Sequence, residues 1–408
     1  MLDTTLVPKK KRPIDWVNAA FITLTPVVAV VGTSLYVARH GVTWLELANF
    51  LAMFLLTGIS ITAGYHRYYA HRTYDCNKPL RLFYLVFGAA AVENSLLNWA
   101  ADHRRHHQFV DSDEDPYNIL KGGLYAHMGW IFFKNPRTPQ VRYKNVPDLL
   151  KDPMVRWQHR WYLPLVILAT FAVPTYIGLI QGRPTGGLLW GGFLRVVVVH
   201  HMTFFINSIA HLWGTRPYSQ DNTARDNWWL GPLTFGEGYH NFHHAFQADY
   251  RNGVRWYHFD MGKWWIRSFA AVGWAWRLKR APEPAILSAR LKTEMQAIQL
   301  RFEASGLPAT TREKIESYLR GGKETLEAAL SRYHQARIDY RRQKDRWTEE
   351  TRRQWSLKLA QYKSDFYLAR AHWRERVRRI HRIPQPSAQG LVTLTALLDL
   401  LKTKFPSV

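Results

Sequence analysis

Cysteine is almost missing from this chain of 408 residues, since Cys76 is the single cysteine. One thiol excludes an internal disulfide framework and a metal cage built from several thiolates. Acidic residues are also scarce, with 31 Asp and Glu against 55 Lys and Arg. Such a basic surplus suits a nucleic acid, a membrane surface or an anionic substrate as partner. The 18 Trp and 20 Tyr favour the membrane, because both side chains collect at the lipid–water interface.

A cleavable secretory signal is not expected from the N-terminal sequence. Residues 1–13 are polar, and no small-residue cleavage site follows the next apolar run. The basic run Lys9–Arg12 directly precedes that apolar run. This order predicts a basic cytoplasmic N-terminus at residues 1–14, which orients the first membrane span by the positive-inside rule.

Four apolar runs are long enough to cross the hydrocarbon core of a bilayer, which takes about 20 helical residues. A short turn joins the two runs of each pair, so each pair predicts an antiparallel hairpin. The sequence therefore predicts an all-α integral membrane protein. Its four transmembrane helices are predicted at Trp16–Val37, Trp44–Gly64, Tyr162–Ile180 and Gly187–Ala210.

A fifth run, Leu80–Asn98, is nearly as long but carries polar residues in its second half. It lies between two histidine clusters, and a crossing would place these clusters on opposite sides of the membrane. An interfacial or re-entrant helix keeps them on one side. We therefore predict that this run does not span.

Residues 285–408 differ in composition from the rest of the chain. They are rich in Arg, Lys, Glu and Ala and contain no long apolar run. We predict a charged helical extension that follows a membrane and catalytic domain at residues 15–281. Breaks at Ser305–Pro308 and at Gly321–Gly322 are predicted to separate its helices, and Leu391–Lys402 is predicted to form a last amphipathic helix.

Histidine is the abundant candidate ligand. Of the 18 histidines, eight lie in three clusters beside the apolar runs, and His211 lies at the end of the fourth run. In H-x-x-H-H, helical spacing places all three rings on one face. In H-x4-H, the rings are about 140° apart on an α-helix, so they bind different metals or the helix bends. The nine candidates are His66, His71, His103, His106, His107, His211, His240, His243 and His244.

Nine neutral imidazoles suit two metal ions with four or five ligands each. Structural or hydrolytic zinc sites need only three or four ligands. An all-histidine pair with open positions, at the mouth of a membrane domain, favours iron and dioxygen. The acidic run Asp111–Pro116 lacks the spacing of a calcium loop. It predicts a solvated loop, with contacts behind the metal ligands as the alternative.

Several polar residues accompany these clusters. Asn207 lies one helical turn before His211, on the same face. His200 and His201 lie deeper in the same run and are predicted to be structural or to line a pocket. Glu237 precedes the third cluster and is predicted to orient one of its histidines.

The clusters and their surroundings resemble the membrane-bound fatty acyl desaturases, most closely the acyl-CoA Δ9 desaturases of the stearoyl-CoA type. The resemblance covers roughly residues 15–270 and excludes the extension. Three clusters in register, together with Asn207 and His211, make it specific. The matching stretches are Thr62–Arg72, Trp99–His107, Asp115–Pro116, Asn207–His211, Gly236–His244 and Asp249–Arg251.

This resemblance implies a non-haem centre of two iron ions, ligated by the nine histidines, with Asn207 reaching one iron through water. It implies four spanning helices beneath a cytoplasmic, histidine-rich cap. The implied reaction removes two hydrogens from adjacent carbons of a saturated acyl chain, with O2 as co-substrate and two electrons. The implied product carries a cis double bond at Δ9, and the implied substrate is an acyl-CoA thioester.

Contacts to the substrate also follow from the resemblance. Asn94, Asp102 and Lys134 match positions that contact the acyl-CoA head group in the family, although Ala101 replaces an arginine of the animal enzymes. Phe54 and Gly58 lie one turn apart on the second spanning helix. We expect them to set the accepted chain length, with plain membrane packing as the alternative.

An electron source is not encoded by any motif of this chain, because the sequence has no His-Pro-Gly-Gly haem motif and no cysteine-rich iron–sulfur pattern. We expect a separate donor of the ferredoxin, rubredoxin or cytochrome b5 type, with its reductase. The active site is expected to face the cytoplasm. A bacterial inner membrane is favoured, with the endoplasmic reticulum as the alternative.

Three other functions compete with desaturation. A related histidine-box hydroxylase would act on alkyl or acyl chains, and a zinc-dependent membrane hydrolase would use fewer ligands. A membrane anchor for nucleic acid would use the basic stretch Tyr340–Trp347. That stretch is more typical of a solvated charged helix near anionic lipid, so no nucleic-acid partner is predicted. The acyl carrier, whether CoA, a carrier protein or a lipid, stays open.

Overall fold

The computed structural model describes residues 12–135, 137–303 and 308–381. The predicted helix Leu391–Lys402 and the first three residues of the basic run Lys9–Arg12 lie outside these described residues. The chain divides into two units. One comprises residues 1–216 and 221–280, and the other comprises residues 281–408 and 217–220.

Four helices of the first unit are long and apolar enough to span a membrane, as predicted. They are α1 (Trp16–His40), α2 (Trp44–Ala70), α9 (Tyr162–Ile180) and α10 (Pro184–Leu212). Three of them end two to six residues beyond the predicted apolar run, because helical hydrogen bonding continues into the polar flanks, and α9 has the predicted bounds. The chain is an all-α integral membrane protein, and its sheet content in the described residues is one antiparallel pair, β1 (Asp75–Cys76) with β2 (Ala275–Trp276).

The first hairpin is closed by local sequence signals. Gly41 adopts a φ of +65°, which ends α1. Thr43 then begins α2 with a capping box, in which its hydroxyl accepts from the Glu46 N–H and Glu46 accepts from the Thr43 N–H at 2.8 Å. Glu46 also accepts hydrogen bonds from Tyr36 at 2.6 Å and from Arg183 at 2.9 Å. Glu46 therefore joins the turn of the first hairpin to the turn of the second.

The run Leu80–Asn98 does not span, as predicted. It divides into α3 (Lys78–Ala89) and the start of α4 (Leu96–Phe109). The 12 residues of α3 make a helix of about 18 Å, well short of the bilayer core. A turn between these helices contains Val92 and Asn94 at positive φ.

The carbonyl groups at this turn receive side-chain hydrogen bonds from the fourth spanning helix. Arg195 donates to the Ala90 carbonyl, and His200 Nε2 lies 2.8 Å from the Ala91 carbonyl oxygen. Both donors are buried. His200 thus satisfies backbone groups that would otherwise be unpaired at the end of a buried helix, in keeping with the structural role predicted for it.

The remaining helices of the first unit are short and surround the histidine clusters. These short helices are α5 (Gly123–His127), α6 (Pro139–Arg142), α7 (Pro147–Lys151), α8 (Pro153–Arg160), α11 (Leu230–Leu233), α12 (His240–Ala245) and α13 (Met261–Ala271). The unit also contains single 3₁₀ turns at Ile119–Lys121, Gly129–Phe132 and Tyr143–Asn145.

The second unit contains three helices, α14 (Glu283–Glu303), α15 (Ala309–Gln343) and α16 (Glu349–His381), with a 3₁₀ turn at Lys344–Arg346. Their apolar faces meet in a core of residues such as Ile298, Leu319 and Trp373. The prediction of a break at Gly321–Gly322 is wrong, since α15 continues through both glycines. A Cβ at Gly322 would lie 2.8 Å from Arg376 Cδ, so this glycine allows close packing instead.

The second membrane hairpin depends on two glycines that face each other. A Cβ at Gly187 would lie 2.3 Å from the Pro174 carbonyl oxygen and 2.9 Å from Gly178 Cα. Small residues at such contacts let membrane helices approach closely. We expect Gly187→Ala to separate α9 from α10 and to lower the melting temperature in detergent, at a cost of about 1–3 kcal/mol.

Gly32→Ala is the matched control within the same unit. Its Cβ would meet Leu189 Cδ2 at 3.1 Å, a flexible side-chain end that can move. A melting temperature lowered equally by both substitutions would contradict the role assigned to the Gly187 contact.

Candidate metal centre

The nine predicted histidines come together in two groups. Within each group, one ring nitrogen per residue lies within 4.8 Å of those of the other members. The first group is His66, His71, His103, His107 and His243, and the second is His106, His211, His240 and His244. Five and four potential ligands match the division expected for two metal ions.

A change of helix type brings His66 and His71 into the same group. The last part of α2, Ser60–Ala70, is π-helical, and the His71 N–H donates to the His66 carbonyl at 3.0 Å. An i→i+5 pattern places residues five apart nearly above one another. The ring centroids are therefore 4.8 Å apart. The sequence left two alternatives for this pair, a departure from regular α-helix or binding to different metals. The helix does depart from α-helical geometry, and both rings lie in the same group.

The two H-x-x-H-H clusters each divide their rings between the groups. In α4, His103 and His107 belong to the first group, and His106 belongs to the second. In α12 the arrangement is reversed, with His243 alone in the first group. Residues four apart share a face more closely than residues three apart, so each helix turns one ring towards the neighbouring group. The three rings of each cluster therefore do not act as one set, because each group takes rings from both helices.

Short contacts between ring nitrogens indicate how the donors are arranged. His66 Nε2 and His243 Nε2 are 2.9 Å apart, and His71 Nε2 and His103 Nε2 are 2.8 Å apart. In the second group, His244 Nε2 lies 3.1 Å from His240 Nε2. A metal with nitrogen ligands about 2.1 Å away would hold adjacent nitrogens about 3 Å apart. These separations fit rings that converge on metal ions.

The opposite ring nitrogens are held by a second layer of residues. His66 Nδ1 lies 3.0 Å from Glu237, and His106 Nδ1 lies 3.0 Å from Asp115. His211 Nδ1 is 2.7 Å from the Thr223 hydroxyl, which in turn donates to Asp111. Partners of this kind fix the tautomer and direct Nε2 to the metal. Glu237 thus lies where the sequence predicted an orienting partner.

The acidic run Asp111–Pro116 is therefore not simply a solvated loop. Asp115 is buried and contacts His106, whereas Asp113 and Glu114 are exposed. The favoured prediction is wrong for Asp115, and the alternative of contacts behind the ligands is correct. The sequence pattern did not reveal this, because a chain turn after α4 folds Asp115 back over the helix.

Charge around Glu237 keeps this orienting group ionised. Burial alone would raise its pKa, but the guanidinium of Arg67 and the hydrogen bond from His66 hold the pKa of the Glu237 carboxyl well below its usual range. Arg67 is itself buried and also pairs with Asp260 at 2.8 Å. Asn252 donates to Glu237 at 2.5 Å. A buried carboxylate with several donors is the kind of acceptor that increases the basicity of a ligating imidazole.

The histidines themselves favour the neutral form that a metal requires. Burial, aided by the neighbouring imidazoles, holds the pKa values of His103, His107, His243 and His244 well below the usual histidine range. His211 Nε2 is a buried nitrogen with no hydrogen-bond partner among the described residues. Such an orphaned nitrogen in a neutral, all-imidazole set fits a borderline metal ion.

A cavity connects both groups to the surface. His66 and His103 of the first group and His106 and His240 of the second line its inner end. Apolar and aromatic side chains such as Ile61, Val92, Phe204 and Ile206 also line the cavity. The outer end is basic, with Lys134 exposed to solvent, and its cationic residues are Arg12, Lys134, Arg137 and Arg142.

The residues predicted to contact substrate separate into two sets. Asn94, Asp102 and Lys134 line this cavity, as does Asn207, which is predicted to reach a metal through water. Phe54 and Gly58 instead pack against Phe235. The Phe54 and Phe235 rings are 5.0 Å apart, and a Cβ at Gly58 would lie 2.1 Å from the Phe235 ring. Their role in chain length stays a prediction.

Some residues of the site are not indicated by any motif in the sequence. Arg142 pairs with Asp102 at 2.5 Å, and Asn135 donates to the same carboxylate. A buried acid beside a histidine cluster needs a cationic partner. The sequence contains many arginines, so it does not show that Arg142 is the partner of Asp102. Thr223 gave no signal at all, since it lies in an irregular polar loop.

Comparison with known proteins agrees with this geometry. The family model described as fatty acid desaturase matches residues 42–279. The chain belongs to the fatty acid desaturase family. The resemblance drawn from the histidine clusters is confirmed.

Relatives within the family carry acyl-CoA desaturase names. The chain is 41% identical over 292 residues to acyl-CoA desaturase 1 of Saccharomyces cerevisiae, covering 70% of this chain and 56% of that protein. It is 41% identical over 277 residues to the probable acyl-CoA desaturase of Schizosaccharomyces pombe, covering 67% and 57%. It is 34% identical over 291 residues to human stearoyl-CoA desaturase 5, covering 70% and 86%. The chain thus spans little more than half the length of its two yeast relatives.

Asp115 offers a test of the second layer. Asp115→Asn removes the negative charge beside His106 Nδ1, and loss of such a partner typically weakens metal affinity about 10–100-fold. We expect less metal per protein after dialysis against a chelator, measured by inductively coupled plasma mass spectrometry. Asp113→Asn, on the exposed part of the same loop, is the control. Equal metal retention in the two variants would contradict the assignment.

Proposed function

We propose that this chain is an O2-dependent desaturase that introduces a cis double bond, at Δ9, into a saturated fatty acyl chain carried as a CoA thioester. The observation that carries the proposal is a cavity with two histidine groups at its inner end and a basic outer end. The names of the relatives support the same substrate class.

The residues present fit two iron ions. His66, His71, His103, His107 and His243 would hold one ion, and His106, His211, His240 and His244 would hold the other. Asn207 lies one turn before His211 and lines the same cavity, so it would reach the second ion through water. When bound, the iron pair supplies the activation of O2, and the protein supplies ligands, orientation and exclusion of water.

The cavity assigns separate tasks to its two ends. Lys134, Arg137 and Arg142 offer positive charge to the phosphates of CoA. Asp102 binds Arg142 at 2.5 Å and so fixes the direction of that guanidinium group. The apolar side chains of the lining take the acyl chain and hold two adjacent carbons against the inner end. Such positioning decides which carbons react.

Removal of two hydrogens from the chain, with reduction of O2 to two waters, consumes two electrons and two protons. We propose that a separate donor of the ferredoxin, rubredoxin or cytochrome b5 type, with its reductase, delivers the electrons. The active site would face the cytoplasm. The host membrane, a bacterial inner membrane or the endoplasmic reticulum, stays a prediction.

Expression in a host without this activity tests the proposal. Gas chromatography with mass spectrometry of the total fatty acids is expected to detect a new cis-Δ9 unsaturated product. His243→Ala removes one ring from the first group, and product formation should fall by at least about 100-fold, because ligand geometry is disrupted. Purified protein should contain about two irons per chain if both groups are filled.

His372→Ala is the control, because His372 is exposed on α16 and belongs to neither group. A hydroxylated product in place of an alkene would favour the hydroxylase, and zinc with O2-independent turnover would favour the hydrolase. Undiminished product from His243→Ala would refute the proposal.

A further inference from the structure

A carboxyl group lines the apolar part of the cavity. Glu93 lies in the turn between α3 and α4, and it is partly exposed towards the cavity it lines. Its Oε1 accepts a hydrogen bond from the Thr203 hydroxyl at 2.7 Å, and its Oε2 accepts from Trp99 Nε1 at 3.1 Å. Val92 on one side of Glu93 and Phe204 beside Thr203 also line the cavity. The carboxyl therefore faces the space that we assign to hydrocarbon.

Glu93 has no cationic partner among the residues that the structure describes, and its side chain accepts hydrogen bonds from Thr203 and Trp99. The titratable or charged groups on the helices that pack around Glu93 have other hydrogen-bond or ion-pair partners. Arg195 and His200 of α10 bind the Ala90 and Ala91 carbonyls, and Asp102 of α4 pairs with Arg142. Tyr162, which begins α9, accepts a hydrogen bond from the Asn94 N–H. His103 of α4 is kept neutral by burial, which lowers its pKa.

We propose that Glu93 is a substrate-binding residue that must be neutral for the acyl chain to enter, so that substrate binding takes up a proton. The inference rests on the proposed function, because it takes the occupant of the cavity to be an acyl chain. It adds a residue that controls affinity through its protonation state.

The physical reason is the cost of burying a charge. An ionised carboxylate beside hydrocarbon loses its water, and two neutral donors compensate only part of the desolvation. In the cavity without substrate, burial raises the pKa of Glu93 to about 7, although Thr203 and Trp99 oppose the rise. Entry of an acyl chain displaces further water and favours the neutral form more strongly.

The sign of the pH dependence follows directly. Below a pH of about 7 the carboxyl is already neutral, and binding carries no protonation cost. Above it, a proton must be bound together with the chain, so affinity falls by up to about tenfold per pH unit. The same linkage predicts uptake of up to about one proton per acyl chain bound at high pH.

Binding can be measured without turnover. The full-length protein in detergent, without O2 or an electron donor, is titrated with a saturated acyl-CoA between pH 6 and pH 9 by calorimetry. Buffers of different ionisation enthalpy give the number of protons taken up. Coenzyme A without an acyl chain is the matched ligand control, because it reports the pH dependence of the basic end and of its own phosphates.

Two variants isolate the carboxyl. Glu93→Gln should remove the fall in acyl-CoA affinity above pH 7 that remains after the coenzyme A control is subtracted. Thr203→Val removes a donor that stabilises the ionised form, so the pKa of Glu93 should rise and the fall should begin at higher pH. A structural role alone would alter affinity equally at all pH values.

The proposal is overturned if the wild type takes up no proton at pH 8.5, or if Glu93→Gln retains the wild-type pH dependence. If Glu93→Gln fails to fold, two measurements still test the proposal: the proton uptake of the wild type, and the pH at which the affinity of Thr203→Val begins to fall. Acyl-CoA binding with proton uptake, but without unsaturated product in the expression test, would support this inference and refute desaturation separately.

Discussion

The structure depends on one constraint, which is that nine neutral imidazoles must converge within a buried space. Each ring has two nitrogens, and one must point to the metal while the other finds a partner. Glu237, Asp115 and Thr223 meet this need for rings on three different elements. Unpaired ring nitrogens would otherwise be costly to bury. The irregular segments of the first unit are best understood as the means of bringing these partners to the rings.

Regular secondary structure cannot satisfy this constraint alone. An ideal α-helix would turn His71 away from His66, and the π-helical end of α2 restores it. A straight spanning helix at 80–98 would separate two clusters, and the turn at Val92–Asn94 avoids this. Backbone outside a regular helix near a membrane needs partners within the protein. Arg195 and His200 supply them, at the cost of placing a buried arginine in a spanning helix.

Much of this arrangement can be predicted from the sequence. Hydrophobic length alone identifies the four spanning helices. Histidine spacing identifies eight of the nine candidate ligands, and the position of His211 at the end of the fourth apolar run identifies the ninth. What spacing does not give is the set of rings that completes each group, because the histidines that join His106 and His243 come from other helices. The same limit applies to Asp115, whose partner lies nine residues earlier but across a chain turn. Pairings such as Asp102 with Arg142 depend on a fold that local patterns do not encode.

Glu93 links the two parts of the site that the sequence presents as separate. Its hydrogen-bond donor Trp99 stacks on His103, with ring centroids 4.8 Å apart and planes 20° apart. The carboxyl that faces the acyl chain thus also supports the aromatic ring behind a metal ligand. Protonation weakens a carboxylate as a hydrogen-bond acceptor, because charge-assisted bonds are the stronger ones. A chain that enters the cavity and neutralises Glu93 would therefore loosen the bond to Trp99, the residue whose ring stacks on His103.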